Sequence, residues 1–118
     1  MIQSYKDLTV WQKAMDLVVA VYELTDHFPK SEMYGLTAQM RRAAVSIPSN
    51  IAEGRKYSSK AEFRKFLLIA FGSGLELETQ IEIAKRLPFG KNLDYKRVGD
   101  LLCEVMKMLN TMTSNLTS

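Results

Sequence analysis

The chain has 118 residues, of which 47% are hydrophobic and 25% are charged, and its net charge is +3. This length supports one hydrophobic core, so we predict a single domain over residues 1–118. The composition is too apolar for a disordered chain. The longest apolar run, 66–71, is far shorter than the ~20 residues that cross a bilayer, and no secretory leader is visible. A single cysteine excludes an intramolecular disulfide. We therefore expect a cytoplasmic protein with no membrane partner.

The first predicted helix, within residues 7–29, carries two apolar sets at helical spacing. One set is Leu8, Trp11, Met15, Val18, Tyr22 and Thr25, and the other is Val10, Ala14, Leu17, Val21, Leu24 and Phe28. A single core needs an apolar stripe of roughly 100°. Because the two sets together are wider than that, we predict that a second copy of the chain covers part of this face. Pro29 ends the helix.

The second predicted helix, 34–54, contains a proline in its interior. Pro48 removes one backbone donor and presses on the carbonyl of Ala44, at a usual cost of ~3 kcal/mol. We predict a kink at 47–48 with a broken backbone ladder, and Ser49 or Asn50 could satisfy the disturbed backbone. Gly54 is expected to end the helix.

Two further helices follow, separated by short connections. The third opens with a capping box at 59–62 and ends at 88–90, and its interior segment 72–74, Gly-Ser-Gly, is typical of a close approach between backbones. The fourth is expected to begin near Asp94 as its N-cap. No segment alternates apolar and polar residues over the length of a strand. The predicted fold is therefore all-α, an up-down-up-down antiparallel four-helix bundle.

Positive charge concentrates around two turns and in the middle of the second helix. The first cluster is Arg55, Lys56, Lys60, Arg64 and Lys65; the second is Lys85, Arg86, Lys91, Lys96 and Arg97; the mid-helix pair is Arg41 and Arg42. Successive turns of such a bundle lie at opposite ends, so the clusters cannot merge within one protomer. Lys6, Lys13 and Lys107 are expected near the first cluster. We predict nucleic-acid binding by the first cluster and by the mid-helix pair, because clustered cations suffice for phosphate contacts. The alternative is that these are solvated surface charges.

The polar residues of the second helix also have two interpretations. This set, which consists of Gln39, Arg41, Arg42, Ser46, Asn50 and Glu53, could form a ligand or RNA site, or a hydrogen-bond network that braces the kink or joins subunits. We favour the network.

Catalytic patterns are missing from the sequence. His27 is the sole histidine, which excludes a His-rich zinc site, and the repeated Glu-x-x-His motif of di-iron bundles does not occur. Cys103 has no basic partner in sequence and is expected to be a partly buried, inert thiol. We predict a protein that is not an enzyme and that binds no metal or cofactor.

The segment 34–54 reads YGLTAQMRRAAVSIPSNIAEG. It resembles the small four-helix-bundle proteins encoded in intervening sequences of bacterial large-subunit ribosomal RNA genes, formerly labelled ribosomal-protein-like. Residues 7–29 and 62–87 resemble the first and third helices of that family. Phe71 stands where family members often carry a basic residue, and 87–90 departs from their usual Leu-Gly-Tyr ending.

The resemblance implies a protomer that assembles into a ring, often a homopentamer. It also implies similarity in fold to the accessory proteins of diversity-generating retroelements, which bind a reverse transcriptase and nucleic acid. The expected partners are thus a second copy of the chain, RNA or other nucleic acid, and a reverse-transcriptase-like or ribosomal protein. The predicted function is a non-enzymatic homo-oligomeric module that binds RNA or an RNA-handling protein. The alternative is a purely structural homo-oligomer that binds no nucleic acid.

Overall fold

Four long α-helices form the computed structural model, which describes residues 4–57 and 59–117. They are α1 (Thr9–Thr25), α2 (Leu36–Arg55), α3 (Lys60–Arg86) and α4 (Lys96–Asn115), with short 3₁₀ helices at Tyr5–Asp7 and Lys30–Glu32. No strand occurs in these two ranges. The bundle measures 46 × 22 × 22 Å. The all-α prediction is confirmed.

The helices are arranged as a square in cross-section. α1 packs against α2 and α4, and α3 packs against the same two helices, so α1 and α3 lie on a diagonal. This is the predicted up-down-up-down bundle. One end, which we call the α2–α3 end, contains the start of α1, the turn from α2 to α3 and the end of α4. The other, the α3–α4 end, contains the remaining two connections.

The two apolar sets of α1 have different environments. All six residues of the second set, including Leu17 and Val21, are buried in the core with residues such as Met40 and Leu67. The first set lies on the side of α1 that faces α2, and parts of it are exposed. A substantial apolar surface therefore stays open on the protomer.

Pro48 lies inside α2, which continues through it as one α-helix, and its ring is buried. The bend at 47–48 and the broken ladder stay predictions. The side-chain amide of Asn50 donates to the carbonyl of Ser46 at 2.8 Å, and not to that of Ala44. Asn50 therefore bonds to the backbone of the turn that contains Pro48.

Gly54 does not end α2 as predicted, because the helix continues to Arg55. No described glycine has a positive φ, so Gly54 does not need left-handed backbone freedom. A Cβ at this position would lie 2.6 Å from Cβ of Phe66. Gly54 is required where α2 and α3 approach each other closely.

Two other local predictions are refined by the structure. In the 72–74 segment, a Cβ on Gly74 would collide with the side chain of Met106 and not with a backbone, and one on Gly72 would meet nothing within 4 Å, so the predicted approach of another backbone is not seen at either glycine. α4 begins at Lys96, after Tyr95. Asp94 still accepts a hydrogen bond from the backbone N–H of Lys96 at 2.9 Å, so its capping role is retained although the helix starts later than predicted.

Candidate nucleic-acid interface

The first cationic cluster lies where α2 ends and α3 begins. Arg55 closes α2 and is followed by Lys56, while the other three members occupy the first two turns of α3. Ser59 caps α3, since its Oγ accepts a hydrogen bond from the backbone N–H of Glu62 at 3.3 Å. The antiparallel turn therefore brings the five cations to one end of the bundle.

One member of this cluster is held by the fold. Nε of Arg64 donates to the backbone carbonyl of Thr113 at 2.9 Å, which attaches α3 to the last turn of α4. A cation at the carboxyl end of a helix also complements the helix dipole. Arg64 therefore has a structural role that explains its presence without a ligand.

The other four cations have no acidic partner. Within 4–57 and 59–117, the side chains of Arg55, Lys56, Lys60 and Lys65 make no hydrogen bond or ion pair. Arg55 and Lys56 complement the dipole at the end of α2, whereas Lys60, at the start of α3, opposes the dipole there. Stabilisation of α3 therefore does not explain why a lysine occupies position 60.

The α3–α4 end differs, because most of its cations are neutralised. Lys85 and Arg86 both pair with Glu82, at 3.2 and 3.7 Å, and Lys96 pairs with Asp100 at 2.8 Å. The hydrogen bond from Lys96 to Asp100, together with the charge of that carboxylate, raises the pKa of Lys96. Lys91 and Arg97 complete the second cluster without an ion pair among the described residues.

The mid-helix pair does not join the first cluster. Arg41 lies over the ring of Tyr22 at 4.4 Å, and it donates from Nε to Oγ1 of Thr25 at 2.9 Å and from Nη2 to Asp26 at 3.0 Å. It therefore links the end of α1 to α2. Arg42 is exposed and contacts no acid in the described part of the chain. Both lie ~20 Å along α2 from Arg55, since a helix rises 1.5 Å per residue.

The three lysines expected near the first cluster have separate environments. Lys6 belongs to the 3₁₀ helix at Tyr5–Asp7, and the neighbouring Tyr5 lines a cleft of about 430 Å³ with Arg55 and Lys56. Lys13 pairs with Glu104 at 3.6 Å. Lys107 lines a groove between α3 and α4. Of the three, Lys6 is the one that is adjacent in sequence to a residue lining the cleft.

Tyr57 is an aromatic residue of this end that the charge pattern did not single out. Its ring stacks on Phe66 with centroids 5.5 Å apart and an interplanar angle of 10°. It stays 38% exposed, and Nζ of Lys56 lies 6.0 Å from its centroid. An exposed ring fixed among cations is suited to stacking with a nucleobase. The signal in the sequence was the aromatic between Lys56 and Lys60.

The polar residues of α2 form a network with α3. Oγ of Ser46 lies 2.8 Å from Oγ of Ser73, and the side-chain amide of Asn50 donates to Oγ of Ser46 at 3.0 Å. These contacts join the two helices within one protomer. The geometry therefore favours an internal hydrogen-bond network over a ligand site for Ser46 and Asn50.

The described residues give little support for a metal site, a buried thiol or a membrane span. No group of three or more His, Cys, Asp or Glu side chains among the described residues could hold a metal ion. Cys103 is exposed, and not partly buried as predicted, and it lines the groove between α3 and α4. No helix in the described ranges is both long and apolar enough to span a membrane.

Comparisons with known proteins support the family resemblance. The model of the family described as "23S rRNA-intervening sequence protein" matches residues 6–111. A solved structure from Bacteroides thetaiotaomicron VPI-5482, a protein with unknown function from the S23 ribosomal protein family, superposes with a TM-score of 0.77 at 23% identity. The match covers 89% of this chain and 98% of that one, and it shows the shared fold. No curated protein matches the chain.

Proposed function

This chain belongs to the family of 23S rRNA-intervening sequence proteins, and we propose that it is a non-enzymatic homo-oligomer that binds RNA through its α2–α3 end. The observation that carries the proposal is the contrast between the two ends of the bundle. At the α2–α3 end four cations have no acidic partner among the described residues, whereas at the opposite end three of five are paired.

Unpaired cations favour polyanions for a physical reason. Each contact with a phosphate releases condensed counterions from the nucleic acid, and this gain needs no base-specific hydrogen bond. A lysine already paired with a carboxylate must give up that pair first. Binding at the α2–α3 end should therefore be largely indifferent to sequence.

Tyr57 favours single-stranded RNA over a duplex. Bases in a single strand can turn outward and stack on an exposed ring, whereas those in a duplex are already stacked. The ring is fixed on one side by Phe66, so its orientation is set before any base arrives. The proposed ligand is a single-stranded segment whose backbone follows Arg55, Lys56 and Lys60.

Assembly is the second part of the proposal. Met15 and Tyr22 are about 40% exposed on the α1 face that the sequence predicts to be covered by another copy. A ring, by family resemblance one of five protomers, would repeat the α2–α3 end around one rim and strengthen weak contacts by avidity. A reverse-transcriptase-like or ribosomal protein is a further expected partner, and the expected location is the cytoplasm.

Salt-dependent binding tests the RNA proposal. Fluorescence anisotropy with a short unstructured RNA should show tight binding at low salt. If four cations contact phosphates, the plot of log affinity against log salt should have a slope of about −3 per protomer engaged. An RNA of scrambled sequence should bind equally well.

The second candidate, a purely structural homo-oligomer, is favoured by the internal use of Arg41, Arg64 and Ser46. Sedimentation that shows an oligomer, together with no RNA binding at low salt, would make this the better account. A monomer at micromolar concentration would contradict the assembly part of both candidates.

A further inference from the structure

The outer face of α3 carries an apolar ridge that the protomer does not use. Leu68, Leu75 and Ile83 are 43–48% exposed, and Gly72 and Thr79 lie between them at steps of three and four residues. These five residues, which we call the α3 ridge, form one line ~22 Å long on the helix surface. All five are exposed, so no helix in the described part of the chain covers them.

A concave apolar surface lies on another side of the bundle. We call it the α1–α2 groove, and its central residues are Trp11, Met15, Val18, Tyr22, Val45 and Pro48. It consists of two adjoining clefts of about 360 and 430 Å³, and Val45 lines both. The first apolar set of α1 thus forms one wall of this groove.

We propose that the α3 ridge of one copy docks in the α1–α2 groove of a second copy. The inference rests on the homo-oligomer of the proposed function and names the two surfaces that form its interface. The exposed aliphatic side chains of the ridge, Leu68, Leu75 and Ile83, match the apolar lining of the groove in chemistry. With the ridge centred on the groove, Leu75 meets Val45.

Charge complementarity supports this pairing. Arg42 lies one turn from Val45 at the edge of the groove, and Glu76 lies next to Leu75 beside the ridge. Both side chains are exposed, and neither has a hydrogen bond or ion pair with another described residue. Docking with Leu75 on Val45 brings the cation and the carboxylate within reach of each other.

Pairing of two α3 ridges with each other is disfavoured by the same charges. An antiparallel pair of ridges has its midpoint at Leu75 and Glu76, so Glu76 would face its own copy. The ridge–groove contact joins two different surfaces and is therefore heterologous. Repeated head to tail, such a contact closes into a ring when the rotation allows it.

Mixing two variants tests the inference. Leu75→Glu breaks the ridge and keeps the groove, and Val45→Glu does the reverse. By sedimentation each variant alone should be a monomer, whereas their equimolar mixture should give a heterodimer of twice the 13.4 kDa protomer mass. In that pair the intact ridge of the Val45→Glu variant docks in the intact groove of the Leu75→Glu variant. The two remaining surfaces are both disrupted, so no third copy can be added. A Val45→Glu variant that still assembles alone would overturn the inference.

Charge-reversal variants provide a second test, which leaves the apolar side chains of the ridge and the groove unchanged. Arg42→Glu and Glu76→Arg should each weaken self-association at least tenfold, and the double variant should restore it. Thr111→Glu, on the exposed face of α4, is the matched control and should assemble like the wild type. Additive losses in the double variant would contradict the proposed pair. If the wild type is a monomer, the assembly proposal itself is wrong. If the wild type is an oligomer and every ridge and groove variant forms the same oligomer, assembly stands and only this interface is wrong.

Discussion

At the scale of single residues, the cations of this chain differ in whether a neighbour already neutralises them. The sequence predicted where they cluster, because charge runs around helix turns are visible in it. It did not predict that Arg64 reaches a carbonyl of α4 or that Arg41 bridges to α1. Those contacts join residues 49 and 16 positions apart, so they depend on how the helices pack.

Arg41→Ala should lower the free energy of unfolding by about 1–2 kcal/mol, because it removes hydrogen bonds to Thr25 and Asp26 and a contact with Tyr22. Asp26 is largely exposed, so the expected loss of stability lies at the lower end of the range for hydrogen bonds to charged groups. Urea unfolding provides the measurement. Lys91→Ala, at an exposed residue, is the control and should change stability by less than about 0.5 kcal/mol. Equal effects of the two would argue against a structural role for Arg41.

Tyr57→Leu should weaken binding of single-stranded RNA by about 1 kcal/mol, roughly fivefold, because a base loses its stacking surface. Leucine retains an apolar contact with Phe66, so the helix content should stay unchanged. Anisotropy titrations provide the measurement. Tyr34→Leu is the control, at a tyrosine that is 96% exposed and lies toward the opposite end. RNA affinity that is the same for both variants and the wild type would contradict the stacking role.

At the scale of the helices, apolar spacing was sufficient to predict all four and their order. The ends of the helices were harder to predict from the sequence: α2 continues past Gly54, and α4 starts after Asp94. Glycine and aspartate are common at helix ends, but whether they act there depends on the neighbouring helix. In α2 the proximity of Phe66 explains the glycine better than a capping role does.

Gly54→Ala should destabilise the bundle by about 1–3 kcal/mol, although alanine is the better helix former, because its Cβ would overlap Cβ of Phe66. Gly99→Ala in α4 is the matched control. A Cβ there meets nothing within 4 Å, so the substitution should stabilise the protein by up to about 1 kcal/mol. Thermal and urea unfolding of the two variants provide the measurement. Stabilisation by both would contradict the close approach at Gly54.

Pro48→Ala should change assembly more than helix content. Alanine restores an N–H and suits a helix, but the substitution alters the surface of the α1–α2 groove, which Pro48 lines. Circular dichroism and sedimentation measured together test this. Unchanged association would show that the proline does not shape the interface.

At the scale of the whole molecule, the alternation of helix directions predicted that the two cationic clusters lie at opposite ends. The sequence also predicted surplus apolar surface on α1. The helical spacing of α3 also separated its core positions, such as Leu67 and Leu77, from the outward-facing Leu68 and Leu75. The sequence did not predict the α1–α2 groove, because that surface forms only where the two helices pack against each other.

The most direct test of the central claim compares RNA binding by two triple variants with equal changes in net charge. One replaces Arg55, Lys56 and Lys60 with glutamate, and the other replaces Lys91, Lys96 and Arg97. At low salt, with fold and assembly verified by circular dichroism and sedimentation, the first should lose RNA affinity by roughly a hundredfold or more. The second should stay within a few-fold of the wild type. Equal losses, or a larger loss from the second variant, would contradict RNA binding at the α2–α3 end.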